Sequence, residues 1–146
     1  MIYLLRHGEA EPGNGDDAAR RLTPKGERQA EAAGRALAVL GTKLDACLTS
    51  PKVRAAETAR LACEALSLEP GVADELSGGD FDPHGLAAGR GEVLLVGHEP
   101  SFSTEIARLT GARAKLRKGG LASVDGSALV GLLRPAELLA IASRRD

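Results

Sequence analysis

Apolar residues fall along this chain in short runs broken by glycine-rich polar stretches, and strand-like and helix-like spacings alternate. Ile2 to Leu5 is a short apolar run that ends at once in Arg6-His7-Gly8, the pattern of a buried strand whose carboxyl end opens into a loop. Gly13, Asn14, Gly15, Asp16 and Asp17 form a polar connection. Thr23-Pro24 followed by Glu27 predicts a helix start, with a hydroxyl cap and a proline where no amide partner is needed. Ala30, Ala33, Leu37 and Leu40 then recur at helical spacing up to Gly41, which stops the helix. Leu44 to Leu48 reads as a second strand. Ser50-Pro51 opens a second helix, on which Val53, Ala56, Ala59 or Arg60, Cys63 and Leu66 mark one face before Pro70-Gly71.

Val72 to Leu76 reads as a short third strand or the tail of one, and Gly85 to Gly89 as a short helix, with Gly78, Gly79, Asp80, Asp82 and Pro83 in the loop between them. Glu92 to Val96 is a near-continuous apolar strand, again closed by a glycine and a histidine, and Pro100 to Thr110 is a helix with Ile106 and Leu109 turned inward. Leu121 to Val124 and Ala128 to Leu133 form a hairpin around Asp125-Gly126. Pro135 to Asp146 reads as a short helix with a fraying tail. Alternating strands and helices predict an α/β fold: a three-layer α/β/α sandwich, its sheet mostly parallel with an antiparallel edge from the late hairpin. In such sheets ligands sit beyond the carboxyl ends of the strands, which turns the loops at Arg6-His7-Gly8, at Ser50 and at Gly97-His98 into one expected site.

A length of 146 residues fits one domain, residues 1–146, and about 150 residues can bury a core without staples. With no Trp, one Tyr and two Phe, that core must be built from Leu, Ala, Val and Ile. The 19 basic and 20 acidic residues nearly cancel, so no broad field points to nucleic acid or to an anionic membrane, and any anion site must be local. No apolar run approaches a membrane span and no leader pattern precedes Arg6, so the expectation is a cytoplasmic protein, with a monomer favoured. Cys47 and Cys63 are too far apart for a C-x-x-C pair and read as small buried residues in a reducing compartment.

The three loop segments hold the candidate chemistry. Arg6 offers a planar fork of donors that matches phosphate and cannot lose its charge, and Gly8 lets a ligand approach the backbone. His7 can attack phosphorus if one ring nitrogen is unprotonated and aimed, which requires a hydrogen bond on the other. Arg54, one turn inside the second helix, can reach that helix's amino end, where free amides already favour anions. His98 follows the Glu92–Val96 run and brings a second imidazole to the same end of the sheet. Each of these residues has an ordinary reading as a solvated or structural side chain; their convergence is what changes it.

Three blocks carry a resemblance: Leu4-Leu5-Arg6-His7-Gly8-Glu9-Ala10, then Thr49-Ser50-Pro51-Lys52-Val53-Arg54-Ala55-Ala56-Glu57-Thr58-Ala59, then Leu95-Val96-Gly97-His98-Glu99-Pro100. Together they resemble the signature of the histidine phosphatase superfamily, with its phosphoglycerate mutase-like fold. The short length and the Leu116–Ala122 stretch resemble its small SixA-type phosphohistidine phosphatases. The resemblance implies that His7 attacks phosphorus and carries it as a phosphohistidine, while Arg6, Arg54 and His98 hold the equatorial oxygens. It implies no cofactor and no metal, because two arginines and a protonated histidine supply the positive field a metal supplies elsewhere. A rate optimum on the acidic to neutral side follows, with His7 neutral and His98 charged.

The general acid is the open position. Glu75, after the third strand, is the nearest candidate by order, with Glu9, His84 and Glu99 as other acid–base groups nearby. A phosphohistidine leaves through a basic nitrogen that takes up its own proton, whereas an alkyl phosphate needs a donor. The favoured substrate is therefore a phosphorylated protein bearing phosphohistidine; the alternatives are a small phosphorylated substrate, such as a sugar phosphate or nucleotide, and a non-catalytic phosphate-binding module. Arg113, Lys115, Arg117 and Lys118 form the one basic cluster, expected either as a solvated face or as a border that attracts an acidic or phosphorylated partner.

Overall fold

The computed structural model describes residues 1–144; Arg145 and Asp146, the end of the expected fraying tail, lie outside the described residues. Six strands, β1 (Ile2–Arg6), β2 (Ala46–Thr49), β3 (Pro70–Val72), β4 (Val93–Gly97), β5 (Leu121–Asp125) and β6 (Ala128–Leu133), form one sheet in the order β3-β2-β4-β1-β5-β6. The first four run parallel, β5 lies antiparallel to β1, and β6 returns antiparallel beside β5. Five helices complete the fold: α1 (Pro24–Val39), α2 (Val53–Leu66), α3 (Pro83–Ala87), α4 (Ser101–Thr110) and α5 (Pro135–Ala142). None is long and apolar enough to cross a membrane.

Strand alternation sends side chains to two separate cores. Leu5, Cys47, Leu94, Val96 and Leu121 face α1, α2 and α5 through Ala33, Leu37, Ala59, Ala62 and Leu138. Ile2, Leu4, Leu48, Val93, Leu95 and Val124 face the other way, onto Phe102 and Ile106 of α4 and onto Leu116. The three-layer α/β/α sandwich with an antiparallel edge is as expected. Small residues let the helices sit close: the α-carbon of Gly34 in α1 packs so tightly on α2 that a β-carbon there would overlap the Ala62 carbonyl oxygen.

The helix starts follow the capping chemistry. Thr23 accepts a hydrogen bond from the Gly26 amide at 3.0 Å ahead of Pro24, and Asp82 does the same for Gly85 ahead of Pro83. The Asp82 cap moves α3 two residues earlier than the Gly85–Gly89 expected from its glycines. The third strand is also displaced. It is Pro70–Val72, and Asp74–Ser77 is a turn of 3-10 helix instead of a strand continuing to Leu76. Val72 and Leu76 are apolar for different reasons: Val72 is an exposed edge position, while Leu76 is buried against the strand ends. α2 begins at Val53, because its N-cap Lys52 is extended, and ends in the left-handed Ser67 before Pro70-Gly71 is reached.

Candidate active site

The strand register brings the chemistry together. Leu5 lies beside Val96 and Thr49 beside Val96, so β1, β4 and β2 finish in step and release His7, His98 and Ser50 at one level. The His7 amide donates to the Gly97 carbonyl at 3.0 Å, and the Ser50 amide to the Val96 carbonyl at 3.0 Å. On the other side of β1, the Gly119 amide donates to the His7 carbonyl at 3.0 Å and the Arg6 amide to the Gly120 carbonyl at 3.0 Å. The backbone of Arg6-His7 is thus pinned from both flanks. Gly8 has no room for a side chain, since a β-carbon would collide with the Gly26 carbonyl at the start of α1.

The imidazole of His7 is buried, and its Nδ1 lies 2.7 Å from the Gly8 carbonyl oxygen. A carbonyl only accepts, so Nδ1 carries the proton and Nε2 keeps its lone pair. Burial, aided by the charges of Arg54, Arg6 and Lys118 and opposed by the Gly8 hydrogen bond, pushes the His7 pKa down to about 4. His7 is therefore neutral and nucleophilic at physiological pH. The His98 ring stands 5.1 Å away, centroid to centroid, and its Nε2 is 2.8 Å from the Ser50 hydroxyl. Burial, then the neighbouring charges of His7, Arg54 and Lys52, push His98 down to about 3. This departs from the expectation of a charged His98: burial first, and then the positive residues around it, disfavour the imidazolium, and both imidazoles are neutral.

Arg6 is half-buried and Arg54 buried. Arg6 donates from Nη1 to the Leu116 carbonyl at 2.9 Å. Arg54 donates from Nη1 to the Asp17 carbonyl at 2.8 Å and from Nη2 to the Asp17 carboxylate at 3.1 Å, with Lys52 Nζ 3.8 Å from the same carboxylate. Hydrogen bonds from Arg20 and Arg54 hold the Asp17 carboxyl below its ordinary range. The Nε of each of Arg6 and Arg54 is buried with no acceptor, a cost that an oxyanion between them would remove. Arg54 is tied to the nucleophile loop through Thr58, whose hydroxyl donates to the Arg54 carbonyl at 2.7 Å and accepts from the Gly8 amide at 3.1 Å. Among the described residues no three of His, Cys, Asp or Glu are grouped to hold a metal ion.

The fold brings Arg6, His7, Gly8, Arg54 and His98 close to one another at the carboxyl ends of the strands. Glu75 does not join them. It is exposed on the Asp74–Ser77 turn and lines a cleft with Asp80, Asp82, Leu86 and Arg90 that none of the four charged or imidazole groups reaches. Glu9 accepts from the Thr23 hydroxyl at 2.9 Å, and His84 bonds the Gly126 carbonyl on the surface. Thr58, Asp17 and the Leu116 carbonyl were missed. Thr58 was findable, being one helical turn beyond Arg54; Asp17 sits in an aperiodic loop and Leu116 contributes only backbone, so neither leaves a signal in side-chain pattern.

An imidazole with a free nitrogen, close to two guanidiniums whose Nε atoms are buried without an acceptor, defines an α/β protein able to hold an oxyanion beside that imidazole. Residues 2–85 match the histidine phosphatase superfamily (branch 1), and the chain belongs to that superfamily, with its phosphoglycerate mutase-like fold. It is 35% identical over 129 residues to a phosphohistidine phosphatase SixA homolog of Haemophilus influenzae, covering 77% of this chain and 78% of that one. The fold is shared with the protein histidine phosphatase SixA in complex with tungstate (TM-score 0.82, 22% identity, 94% of this chain and 98% of that one). It is also shared with the phosphoserine phosphatase of Entamoeba histolytica in complex with 3-phosphoglyceric acid (TM-score 0.70, 16% identity, 94% and 98%).

Proposed function

We propose that this protein is a phosphohistidine phosphatase of the SixA type, acting on a phosphorylated protein through a covalent intermediate on His7. The carrying observation is the His7 tautomer: Nδ1–H is spent on the Gly8 carbonyl, so the free Nε2 is the atom left to attack. In the first step the His7 Nε2–phosphorus bond forms as the bond from phosphorus to the substrate imidazole breaks, and that departing nitrogen takes a proton from solvent. In the second, water attacks phosphorus, the bond to Nε2 breaks, and orthophosphate leaves with the water's proton redistributed to solvent. Arg6 and Arg54, fixed before the substrate arrives, offset the charge that spreads over the equatorial oxygens, and no metal is needed for that field. A phosphoryl dianion beside His98 would supply the negative charge that favours its protonation.

Two further observations support a protein substrate. The Asp17 carboxylate on Arg54 is held ionised by hydrogen bonds from Arg20 and Arg54, which makes it a poor proton donor and suits a leaving group that supplies its own basic nitrogen. A groove beside the site, lined by Pro100, Ala107 and Ala114 and edged by Arg113 and Lys115, leads from His98's neighbour Glu99. Lys118 of the same basic cluster is close enough to depress His7. The setting is the cytoplasm, where the free thiols of Cys47 and Cys63 remain reduced. The alternative is a small-molecule phosphomonoesterase, for which Glu75 is the proposed proton donor and would have to swing in from its turn; the fold shared with a phosphoserine phosphatase favours keeping this reading in the test.

The test mixes the protein with a phosphohistidine-bearing carrier, p-nitrophenyl phosphate and a panel of sugar phosphates. Transient acid-labile phosphate on the protein is expected, with the carrier preferred by kcat/KM, and none on His7→Ala. Turnover without labelling, or equal turnover by His7→Ala, defeats the reading; preference for a sugar phosphate selects the alternative.

A further inference from the structure

Arg6 is fixed at its backbone by β1 and by Gly120, but among the described residues its guanidinium has one protein acceptor, the Leu116 carbonyl. The placement of that carbonyl therefore sets where the fork points. Leu116 belongs to the Gly111–Lys118 stretch, which is neither helix nor strand. Its side chain is anchored in the core below α4, and its amide donates to Glu99 Oε2 at 3.2 Å. The other carboxylate oxygen, Oε1, accepts from the Ser103 amide in the first turn of α4 at 2.7 Å. One half-buried carboxylate thus staples the irregular stretch to the helix that follows His98, one peptide away from the carbonyl that holds Arg6. Both oxygens are engaged by backbone amides, an arrangement suited to holding geometry and not to protonating a leaving group. The negative charge of Glu99 also acts on Arg6, opposing the effect of burial on the guanidinium.

We infer that Glu99 is the positioning residue for Arg6: by pinning the Leu116 amide to the start of α4, it places the carbonyl that aims the Arg6 guanidinium into the phosphate site. The inference rests on the phosphatase reading only in taking Arg6 as an oxyanion ligand. Removal of the staple lets the 111–118 stretch shift, and Arg6 loses orientation while its charge remains.

The test is tungstate binding by titration calorimetry to wild type, Glu99→Ala, Arg6→Ala and the double variant. Glu99→Ala is expected to weaken tungstate about tenfold, and Arg6→Ala more. The double variant is expected to bind no more weakly than Arg6→Ala, because the two residues act through one contact. A purely structural contribution of Glu99 would instead multiply with the loss from Arg6. Glu99→Gln keeps one acceptor oxygen and is expected to lose an intermediate amount; should Glu99→Ala fail to fold, the same cycle is run with Glu99→Gln. Wild-type affinity in Glu99→Ala, or independent losses in the cycle, overturns the positioning role. A wild-type protein that takes up no tungstate overturns the phosphatase reading and this inference with it, whereas wild-type binding with an unchanged Glu99 variant overturns this inference alone.

Discussion

His7 and His98 hold their protons less tightly in the fold than in an open chain, and that has a cost at low pH. Their values of about 4 and about 3 lie below the ordinary imidazole value near 6.5, so between those limits the unfolded chain binds more protons than the native one. Stability therefore rises with pH through this window and is lost as pH falls from about 6.5. By that linkage each imidazole is expected to withdraw about 2 kcal/mol at pH 5. Urea melts at pH 7 and pH 5 measure the loss, and His98→Asn, which keeps a polar group beside Ser50, should reduce it by roughly half. Equal pH dependence in wild type and variant would show that these rings do not titrate as described. The paired depression was not legible in the sequence, where two histidines stand ninety-one positions apart; the parallel register of β1 with β4 sets them ring to ring.

α1 and α2, the helix that carries Arg54, meet through a close contact that involves almost no side chain. α1 crosses α2 at Gly34, facing the Ala62 carbonyl, and α2 carries Arg54 and Thr58 in its first two turns. Gly34→Ala would add helix propensity worth about 1 kcal/mol but force the helices apart against backbone that cannot yield. The net expectation is a loss of about 1–3 kcal/mol in denaturant melts, with KM for p-nitrophenyl phosphate raised as Arg54 moves. A variant as stable as wild type would refute the tight crossing. Helix periodicity was readable here because Ala30, Ala33 and Leu37 repeat on one buried face. The third strand was not. Three residues pairing at a sheet edge leave too little alternation, and the apolar Leu76 beyond them answers to the ends of neighbouring strands.

Considered as a whole, the molecule has almost no net charge, yet Arg108, Arg113 and Lys115 line the groove that starts at Glu99. Arg113 and Lys115 touch no residue of the catalytic cluster through a hydrogen bond, so their contribution should be to partner recognition. Reversing both, Arg113→Glu with Lys115→Glu, is expected to raise KM for a phosphohistidine protein about tenfold at low salt and to flatten its salt dependence, leaving p-nitrophenyl phosphate hydrolysis unchanged. Equal effects on the two substrates would assign the groove to folding or to the phosphate site itself.

Local chemistry along the chain was enough to indicate the alternation of strands and helices, the cap at Thr23, the hairpin turn at Asp125-Gly126, and Arg6, His7, Arg54 and His98 as candidates, because each depends on residue type and short spacing. The hydrogen bond that frees Nε2 of His7 runs to the adjacent Gly8 carbonyl, a backbone atom common to every residue, while the Asp17 carboxylate on Arg54 and the Leu116 carbonyl on Arg6 join segments 37 and 110 residues apart. Such contacts exist only once the strands have paired in register and the helices have closed over them, since it is that packing which removes water and leaves each polar group with a single available partner.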